Sequence, residues 1–293
     1  TTTKGTIMAI TVSDPTIWST RLRMYLDKSL VYVNALCNRD YEGEIAPGST
    51  VKILNVAEGT IEDYDGSLTA PADLTDENNA TLTINQKKAF NFKVEDTDQE
   101  FSVLNLIDQG SKRHAYKLAD AADQYIASLH AGISDTTPDN TYGDSTTPIV
   151  IGGGGGDVAA YDMFLELSQR LDEANVPRQD RRIVLPPWLY RRIKKELGGK
   201  DSGLGDQVQL NGLIGELDGV QIFLSNNVAN TSGAKYKIMM GIPVITYAEA
   251  IMKTETYRVE SAFATGVKGL HVYGAKLVSP AALALATVSK GTL

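Results

Sequence analysis

The residues best suited to chemistry in this sequence are three histidines and a single cysteine. They are His114, His130, His271 and Cys37. A zinc site or a nucleophilic site needs such groups at a spacing that brings their side chains together. His114 and His130 lie in one stretch with helical periodicity, about 20 Å or more apart along its axis. The histidines therefore predict no metal ligand set, and Cys37 is expected to be a buried packing residue.

Other motifs for catalysis or ion binding are incomplete. The glycine run at 152–156 lacks the Gly-Lys-Ser/Thr ending of a phosphate loop, and the Asp157 carboxylate that follows it would repel a phosphate. A hinge is the better interpretation of this run. Asp135, Asp139 and Asp144 lack the glycine and terminal glutamate of a calcium loop. We therefore predict no catalytic residue, no cofactor or cofactor-binding residue and no metal site, so the protein is not expected to be an enzyme.

Charge is distributed unevenly along the chain. The whole sequence of 293 residues has a net charge of −8 and a pI of about 5.0. Residues 40–100 contain fourteen Asp and Glu but four Lys, a net of −10, which leaves about +2 for the rest. This balance argues against a generally basic nucleic-acid reader. The single cysteine excludes an internal disulfide and suits a reducing compartment. The sequence predicts neither a transmembrane helix nor a signal peptide.

The longest periodic stretch, residues 102–130, predicts a helix that other elements pack around. Small and apolar residues recur at steps of three or four, with polar residues on the other face. An unbroken helix would span about 43 Å, whereas globular helices average about a dozen residues. Asp120 and Asp123 share one face, where solvated carboxylates are expected. We predict a spine that crosses a whole domain.

Residues 41–90 predict an extended two-stranded arm. A strand is expected over 51–56, an acidic mobile tip over 60–79, and strict period-two alternation from Leu82 to 94. A two-stranded excursion has no core of its own, yet several apolar side chains in it need cover. They are Ile53, Leu54, Val56, Leu82 and Ile84. Cover by a neighbouring copy is favoured over an exposed floppy hairpin, because unpaired apolar edges promote aggregation.

Residues 157–250 predict a compact α/β unit. Its expected elements are helices over 157–174 and 187–197 and strands over 182–185, 219–225 and 238–247, the last bent at Pro243. Asp157 is the predicted N-cap of the first helix. The second helix has a basic face, for which solvation is favoured over nucleic-acid binding. Strands return from 257 to 278, with Gly269 and Gly274 as predicted bulge or bend positions, and the chain closes in an apolar run over 281–288.

Several stretches, in their order and spacing, resemble the major capsid proteins of tailed bacteriophages, which have the HK97-type fold. They are Trp18-Ser19-Thr20-Arg21-Leu22, residues 38–45 (NRDYEGEI) and 47–51 (PGSTV), the predicted spine, residues 182–190 (RIVLPPWLY) and residues 272–278 (VYGAKLV). The likeness is greatest to the branch related to the phage P22 coat protein, without its inserted domain.

The resemblance implies an α+β fold of the HK97 type. Its segments would be an N-terminal arm (1–13), the N-terminal helix region of a peripheral domain (14–40), an extended hairpin called the E-loop (41–90), the peripheral domain with the spine (91–149), an axial α/β domain (150–250), and the return strands and C-terminus of the peripheral domain (251–293). Periodicity and composition predict a protruding arm, a long helix and an inserted α/β unit, and these three features agree with this layout.

The implied function is that of a major capsid protein, which assembles through pentamers and hexamers into an icosahedral shell around double-stranded DNA held without base-specific contacts. The implied partners are other copies of the chain, a separate scaffolding protein, a portal and a decoration protein, with no membrane partner. The implied location is the virion, after assembly in the bacterial host cytoplasm. Acidic arm residues would contact the spine of a neighbouring copy. The candidate inter-subunit contacts are Ile53, Leu54, Val56, Asp63, Asp65, Leu82, Ile84, Lys112, Arg113 and Lys117.

Two alternatives stay open at this point. An encapsulin-like nanocompartment would share the fold but enclose a cargo protein instead of a genome. A soluble α/β enzyme would place a pocket at the strand ends near residues 183, 222 and 245.

Overall fold

The fold is described from a computed structural model for residues 31–39, 50–53, 80–101, 106–133, 140–152, 154–198 and 215–291. The predicted N-terminal arm over 1–13, residues 14–30 of the predicted N-terminal helix region and the acidic tip of the predicted E-loop lie outside these residues.

A four-stranded sheet with the order β1-β12-β13-β4 forms one part of the molecule. Its strands are β1 (Cys37–Asn38), β4 (Gln86–Glu95), β12 (Ile245–Arg258) and β13 (Ala264–Leu277). The predicted alternation is confirmed in β4, where Phe90, Phe92 and Val94 are less exposed than their neighbours. The predicted continuous strand is interrupted, however, because the chain leaves strand geometry at Ile84 and Asn85.

The β12–β13 pair is a long antiparallel hairpin, in which Ile245 pairs with Leu277 and Arg258 with Thr265. Fourteen residues per strand span about 46 Å. The register of the hairpin shifts between Glu249 and Ile251. The bulge therefore lies on β12, so of the bulge or bend predicted at Gly269 and Gly274 the bulge is wrong.

The predicted spine is confirmed over Leu106–Ser128. Helix α3 (Leu106–Ser128) continues into a 3-10 turn over Leu129–Gly132, and a short helix, α2 (Asp96–Phe101), comes before it. The 23 residues of α3 span about 35 Å, and residues 102–105, where the predicted spine begins, lie outside the described part of the chain. The spine packs on β4 and β13.

An eight-stranded sheet contains most of the core. Its strands are β5 (Thr141–Tyr142), β6 (Ile149–Ile151), β7 (Arg182–Leu185), β8 (Glu216–Leu217), β9 (Val220–Leu224), β10 (Asn230–Thr231), β11 (Lys235–Gly241) and β14 (Leu283–Lys290). Along the main path the order is β5-β14-β11-β7-β9-β8, with β7 and β9 parallel.

Two features of this sheet correct the sequence-based boundaries. The strand expected over 238–247 is divided, because β11 ends at Gly241 in the eight-stranded sheet and β12 begins at Ile245 in the four-stranded one. The apolar run over 281–288 contributes β14, which pairs with β11. A strand that is buried on both faces has a continuous apolar sequence without alternation. Period-two alternation therefore could not identify β14 as a strand.

The helices α4 (Ala160–Glu173) and α5 (Pro187–Gly198) pack together beside this sheet. The predicted N-cap at Asp157 is wrong, since α4 begins at Ala160 and its first amide groups donate to the carboxylate of Glu196 at 2.9 Å. A carboxylate at that end also complements the helix dipole. The helix ends at Glu173, one residue before the predicted end, and Asn175 follows it with a φ of 56°.

Two short elements complete the described chain. Helix α1 (Tyr32–Leu36) precedes β1. A two-stranded sheet of β2 (Thr50–Ile53) and β3 (Ala80–Thr83) is antiparallel and forms the base of the predicted E-loop.

Candidate inter-subunit contact sites

The base of the E-loop packs on its own chain. Leu82 and Ile84 are almost completely buried in a cluster with Ala248 of β12 and Val272 of β13, and Ile53 packs against the edge of that cluster. Leu82 and Ile84 therefore need no cover from a second copy, which corrects the sequence-based reason for naming them as inter-subunit contacts. The cluster fixes the base of the predicted E-loop on β12 and β13.

The E-loop base reaches this position because a glycine lies beneath it. A Cβ atom placed on Gly274 would come within 2.5 Å of the Thr83 carbonyl oxygen and 2.9 Å of the Ile84 Cα. Both are backbone atoms, so they cannot turn away as a flexible side chain would. The role of Gly274 is close approach of two backbone segments rather than a bulge.

The opposite face of the same sheet holds the spine through aromatic contacts. The His114 ring stacks on Phe92 at 4.7 Å between centroids and lies 5.2 Å from Phe90. Gly110 makes room for Phe92, because a Cβ there would lie 2.7 Å from the ring. His114 also pairs through Nδ1 with the Gly110 carbonyl at 2.7 Å. This histidine is a packing residue of the spine, in agreement with the absence of a ligand pattern around it.

The far half of the spine is tied to the rest of the chain by a buried carboxylate. Asp123 accepts hydrogen bonds from the Tyr32 amide at 2.8 Å and from the Asn227 side chain at 2.9 Å. Asn227 also donates to Asp120 at 2.8 Å. Asp123 has no exposed surface and Asp120 very little, so the predicted solvation of this pair is wrong.

Burial changes the titration of that carboxylate. It raises the pKa of Asp123, while the hydrogen bonds from Asn227 and from the amides of Tyr32 and Val33 oppose the shift. Through these hydrogen bonds the Asp123 carboxylate connects α3 with α1 and with the segment after β9. Sequence spacing placed both aspartates on one face, but the partner, Asn227, is more than a hundred residues away.

A second polar network lies beside Tyr273, on the face of the sheet that carries the spine. The Tyr247 hydroxyl donates to Glu249 at 2.7 Å, and the His271 Nε2 lies 3.7 Å from the same carboxylate. The nearby His271 ring, the Tyr247 hydroxyl and the Arg39 guanidinium lower the pKa of the Glu249 carboxyl despite its burial. Neither ring nitrogen of His271, which is 1% exposed, finds a hydrogen-bond partner among the described residues. The network links the two strands of the hairpin, because Tyr247 and Glu249 lie on β12 and His271 lies on β13.

The predicted contact residues on the spine differ in exposure. Lys112 and Lys117 are exposed, whereas Arg113 is half-buried and already interacts within the chain. Four other candidates, Leu54, Val56, Asp63 and Asp65, lie outside the described residues.

A cleft occupies the region where a soluble α/β enzyme would have its site. It has a volume of about 330 Å³ and lies at the carboxyl ends of β7 and β9. Its described lining contains no carboxylate, histidine or cysteine and is formed by Pro186, Pro187, Trp188, Asn226, Val228, Asn230, Tyr236 and Lys290. The third predicted strand of that site, near residue 245, belongs to the other sheet.

Cys37 is buried and forms no disulfide. Burial raises the pKa of the Cys37 thiol to about 12, so the nucleophilic thiolate is scarce at neutral pH. Among the described residues, no three His, Cys, Asp or Glu side chains come close enough to hold a metal ion. No helix in the described part of the chain has the length and apolar character needed to cross a bilayer.

A family model described as "Phage capsid protein" matches residues 79–286, which is more than two thirds of the chain. The chain belongs to the phage capsid protein family. It is a shell-forming major capsid protein of the tailed-phage type, and its α+β architecture is that of the HK97-type fold. The nanocompartment and enzyme alternatives are not favoured.

Solved structures agree with the family. A structure from Mycobacterium phage Che8 is 26% identical to this capsid protein, with a TM-score of 0.75 over 94% of this chain and 98% of that chain. A capsid structure of cyanophage P-SCSP1u is 15% identical, with a TM-score of 0.72 over 95% and 93%. The capsid of an empty GTA particle is 16% identical, with a TM-score of 0.65 over 98% and 100%. No protein with a curated description matches the sequence.

The first prediction concerns the crossing at Gly274. Gly274→Ala adds one methyl group against immovable backbone, so we expect the free energy of unfolding to fall by about 1–3 kcal/mol, measured by urea denaturation. The control is Gly155→Ala, where a Cβ would meet nothing within 4 Å and the expected change is below about 0.5 kcal/mol. Equal effects of the two substitutions would show that the close approach of β13 to the Thr83–Ile84 backbone does not depend on glycine.

The second prediction concerns the pH dependence of stability. Because the pKa of Asp123 is raised on folding, the folded state binds this proton more tightly than the unfolded chain, where aspartate titrates near about 3.9. This contribution to the free energy of unfolding is therefore present at low pH and declines as pH rises through the folded-state pKa.

Asp123→Asn removes that decline, which urea denaturation at a series of pH values measures as a flatter profile than wild type. The exposed Asp218→Asn is the control and should keep the wild-type slope. Identical slopes for wild type and Asp123→Asn would contradict the assignment.

Proposed function

We propose that this capsid protein assembles through pentamers and hexamers into an icosahedral shell that encloses double-stranded DNA. The observation that supports this most directly is the agreement with the Che8 structure along almost the whole of both chains. Identical subunits can tile a closed surface when head-to-tail contacts close into rings. Each contact can then be weak, because many of them act together.

The E-loop is proposed as the part that joins one copy to the next. Its base, β2 and β3, is anchored on the sheet by Leu82 and Ile84. The tip over 57–79 contains seven Asp and Glu and no Lys or Arg. Exposed lysines lie on the spine and on the sheet beside it, among them Lys112 and Lys117. Opposite charges of this kind direct the register of a contact and suppress wrong pairings.

The same proposal implies what the shell contains and which proteins the capsid protein contacts. A net charge of −8 suits a wall that holds DNA without binding it tightly, since affinity for the phosphate backbone depends on Lys and Arg contacts. We propose a separate scaffolding protein, a portal and a decoration protein as further partners, a place in the virion after assembly in the host cytoplasm, and no catalytic role.

The third prediction tests the proposed function on wild-type protein produced in bacteria together with the other phage structural proteins. We expect closed particles with five-fold and six-fold rings in electron micrographs, containing long nuclease-protected DNA. Particles that contain a cargo protein and no DNA would favour the nanocompartment. A species of only a few subunits would contradict shell formation.

The fourth prediction tests the charge contact of the arm. Lys112→Glu with Lys117→Glu is expected to reduce the yield of shells, because each exposed ion pair contributes about 0.2–1 kcal/mol and is repeated at every copy. Adding Asp63→Lys with Asp65→Lys should restore the yield, measured by sedimentation.

The matched control for this prediction is Arg191→Glu with Lys195→Glu, the same charge change on exposed positions of α5. An equal loss of shells in the control, or no rescue by the arm substitutions, would refute the contact between arm and spine.

A further inference from the structure

One side of α5 carries exposed positive charge that the described part of the chain leaves unneutralised. Trp188, Arg191 and Lys195 follow one another at helical spacing and therefore lie on one side of the helix. Arg191 and Lys195, which we call the basic face, are exposed, and neither pairs with a carboxylate among the described residues. Glu196, the single carboxylate of α5, accepts hydrogen bonds from the first amide groups of α4 instead.

The cleft at the carboxyl ends of β7 and β9 continues this surface at the N-terminal end of α5. Trp188 belongs both to the wall of the cleft and to the side of the helix that carries the basic face. Lys290 also lines the cleft, with its Nζ 5.4 Å from the centre of the Trp188 ring. This lysine is exposed and has no ion-pair partner within the described chain. The three cations and the cleft therefore form one continuous surface.

The aromatic wall of the cleft is held in place by contacts within the chain. The rings of Trp188 and Tyr236 lie 5.3 Å apart between centroids. The Arg192 guanidinium lies 5.5 Å from the Trp188 ring and donates a hydrogen bond to the Gly291 carbonyl at 2.6 Å. These contacts, to which cation–π attraction contributes, position the wall before a ligand arrives. A surface that is ordered in advance loses less conformational entropy on binding.

Shape and charge together define the ligand. The wall of the cleft consists of proline, valine and aromatic side chains, and its polar lining residues are Asn226, Asn230 and Lys290. The volume of about 330 Å³ is at the lower end of the range for ligand pockets, so the cleft suits one bulky apolar side chain. The unpaired cations attract negative charge. A matching ligand therefore combines negative charge with an apolar group.

An acidic peptide meets both requirements, whereas a nucleic acid meets only one. Duplex DNA presents phosphates to the cations, but its bases stay stacked inside the helix, so it has no protruding apolar group to place in the cleft. An extended peptide can lay acidic side chains along the helix and insert an apolar one between aromatic walls, which is a common mode of peptide recognition.

We propose that the basic face of α5 and the adjoining cleft bind an acidic peptide segment of another protein, with one apolar side chain of that segment in the cleft. The assignment to another protein rests on the proposed function, in which the acidic arm of this chain contacts the spine. Binding itself requires only a single chain, because every residue of the surface belongs to it. The site can therefore be tested whether or not shells form.

The test measures binding of a labelled synthetic peptide to the full chain by fluorescence anisotropy. The probe consists of Asp and Glu with one central Phe, and the comparison peptide has Ser in place of that Phe. We expect the Phe peptide to bind about tenfold more tightly, because burial of its ring stabilises the complex. Both affinities should fall with added salt, since salt screens exposed charges.

Two variants separate the basic face from the cleft. Arg191→Glu with Lys195→Glu is expected to weaken binding of both peptides about tenfold, because two attractions become repulsions. Asn230→Trp, at an exposed position that lines the cleft, should fill it and remove the preference for Phe. The matched control is Lys87→Glu with Lys276→Glu, the same charge change on exposed positions of the four-stranded sheet, which should bind as wild type does. Urea denaturation checks that each variant folds.

Equal binding by wild type and by Arg191→Glu with Lys195→Glu would overturn the proposal, because the basic face would then be only solvated. Equal affinity of wild type for the Phe and Ser peptides would also overturn it, because the cleft would play no part. Failure of wild type to form shells would refute the proposed function but not the binding, which needs only one chain.

Two other ligands serve as competitors in the same measurement. A mixed-sequence DNA duplex that binds more tightly than the Phe peptide, and loses this affinity in Arg191→Glu with Lys195→Glu, would assign the surface to nucleic acid instead. Tighter binding of a peptide copied from residues 57–79, together with loss of shells in the same variant, would assign it to a second copy of the chain. Either result would overturn the proposal and leave the proposed function intact.

Discussion

The long hairpin of β12 and β13 is the element on which the rest of the described chain depends. It begins where the chain passes from one sheet to the other at Pro243, so it links the two sheets covalently. Its two faces have different tasks. One receives the base of the E-loop at Val272 and Gly274, and the other receives the spine, where Tyr273 packs edge-on against Tyr125.

This arrangement makes the positions of the arm and the spine interdependent. Alternate residues of a strand point to opposite faces, so Val272 and Tyr273, adjacent in sequence, contact the arm and the spine respectively. Any shift of β13 therefore displaces the contacts on both of its faces. A capsid subunit must hold several contact surfaces in a fixed relation. A strand that contacts two of them does this, because neither surface can move without the other.

Buried polar groups complete the connection between the parts. Asp123 on the spine holds the start of α1 through the Tyr32 amide, and through Asn227 it holds the segment that follows β9. A buried carboxylate is unfavourable unless its oxygens are hydrogen-bonded, so the three segments must come together in one geometry. The aromatic packing of His114 between Phe90 and Phe92 fixes the other half of the spine in the same way.

Much of this protein is determined by local sequence. The period of the spine, the alternation in β4 and the strands β7 and β9 were predictable because one face of each is apolar, or because the strand is short and bounded by turns. The lack of a catalytic pattern and the acidic arm are likewise properties of residue type and spacing. Several stretches, in their order along the chain, also resemble tailed-phage capsid proteins. The family model that matches residues 79–286 confirmed the family.

Tertiary structure decided what depends on distant partners. Glu196 replaces Asp157 as the cap of α4, Asn227 buries the aspartates that spacing alone would leave in water, and Leu82 and Ile84 find their cover on Ala248 and Val272. In each case the partner lies between 36 and nearly 200 residues away, beyond any helical or strand period. Local periodicity records which face of an element is apolar, but what covers that face is fixed only when the chain has folded.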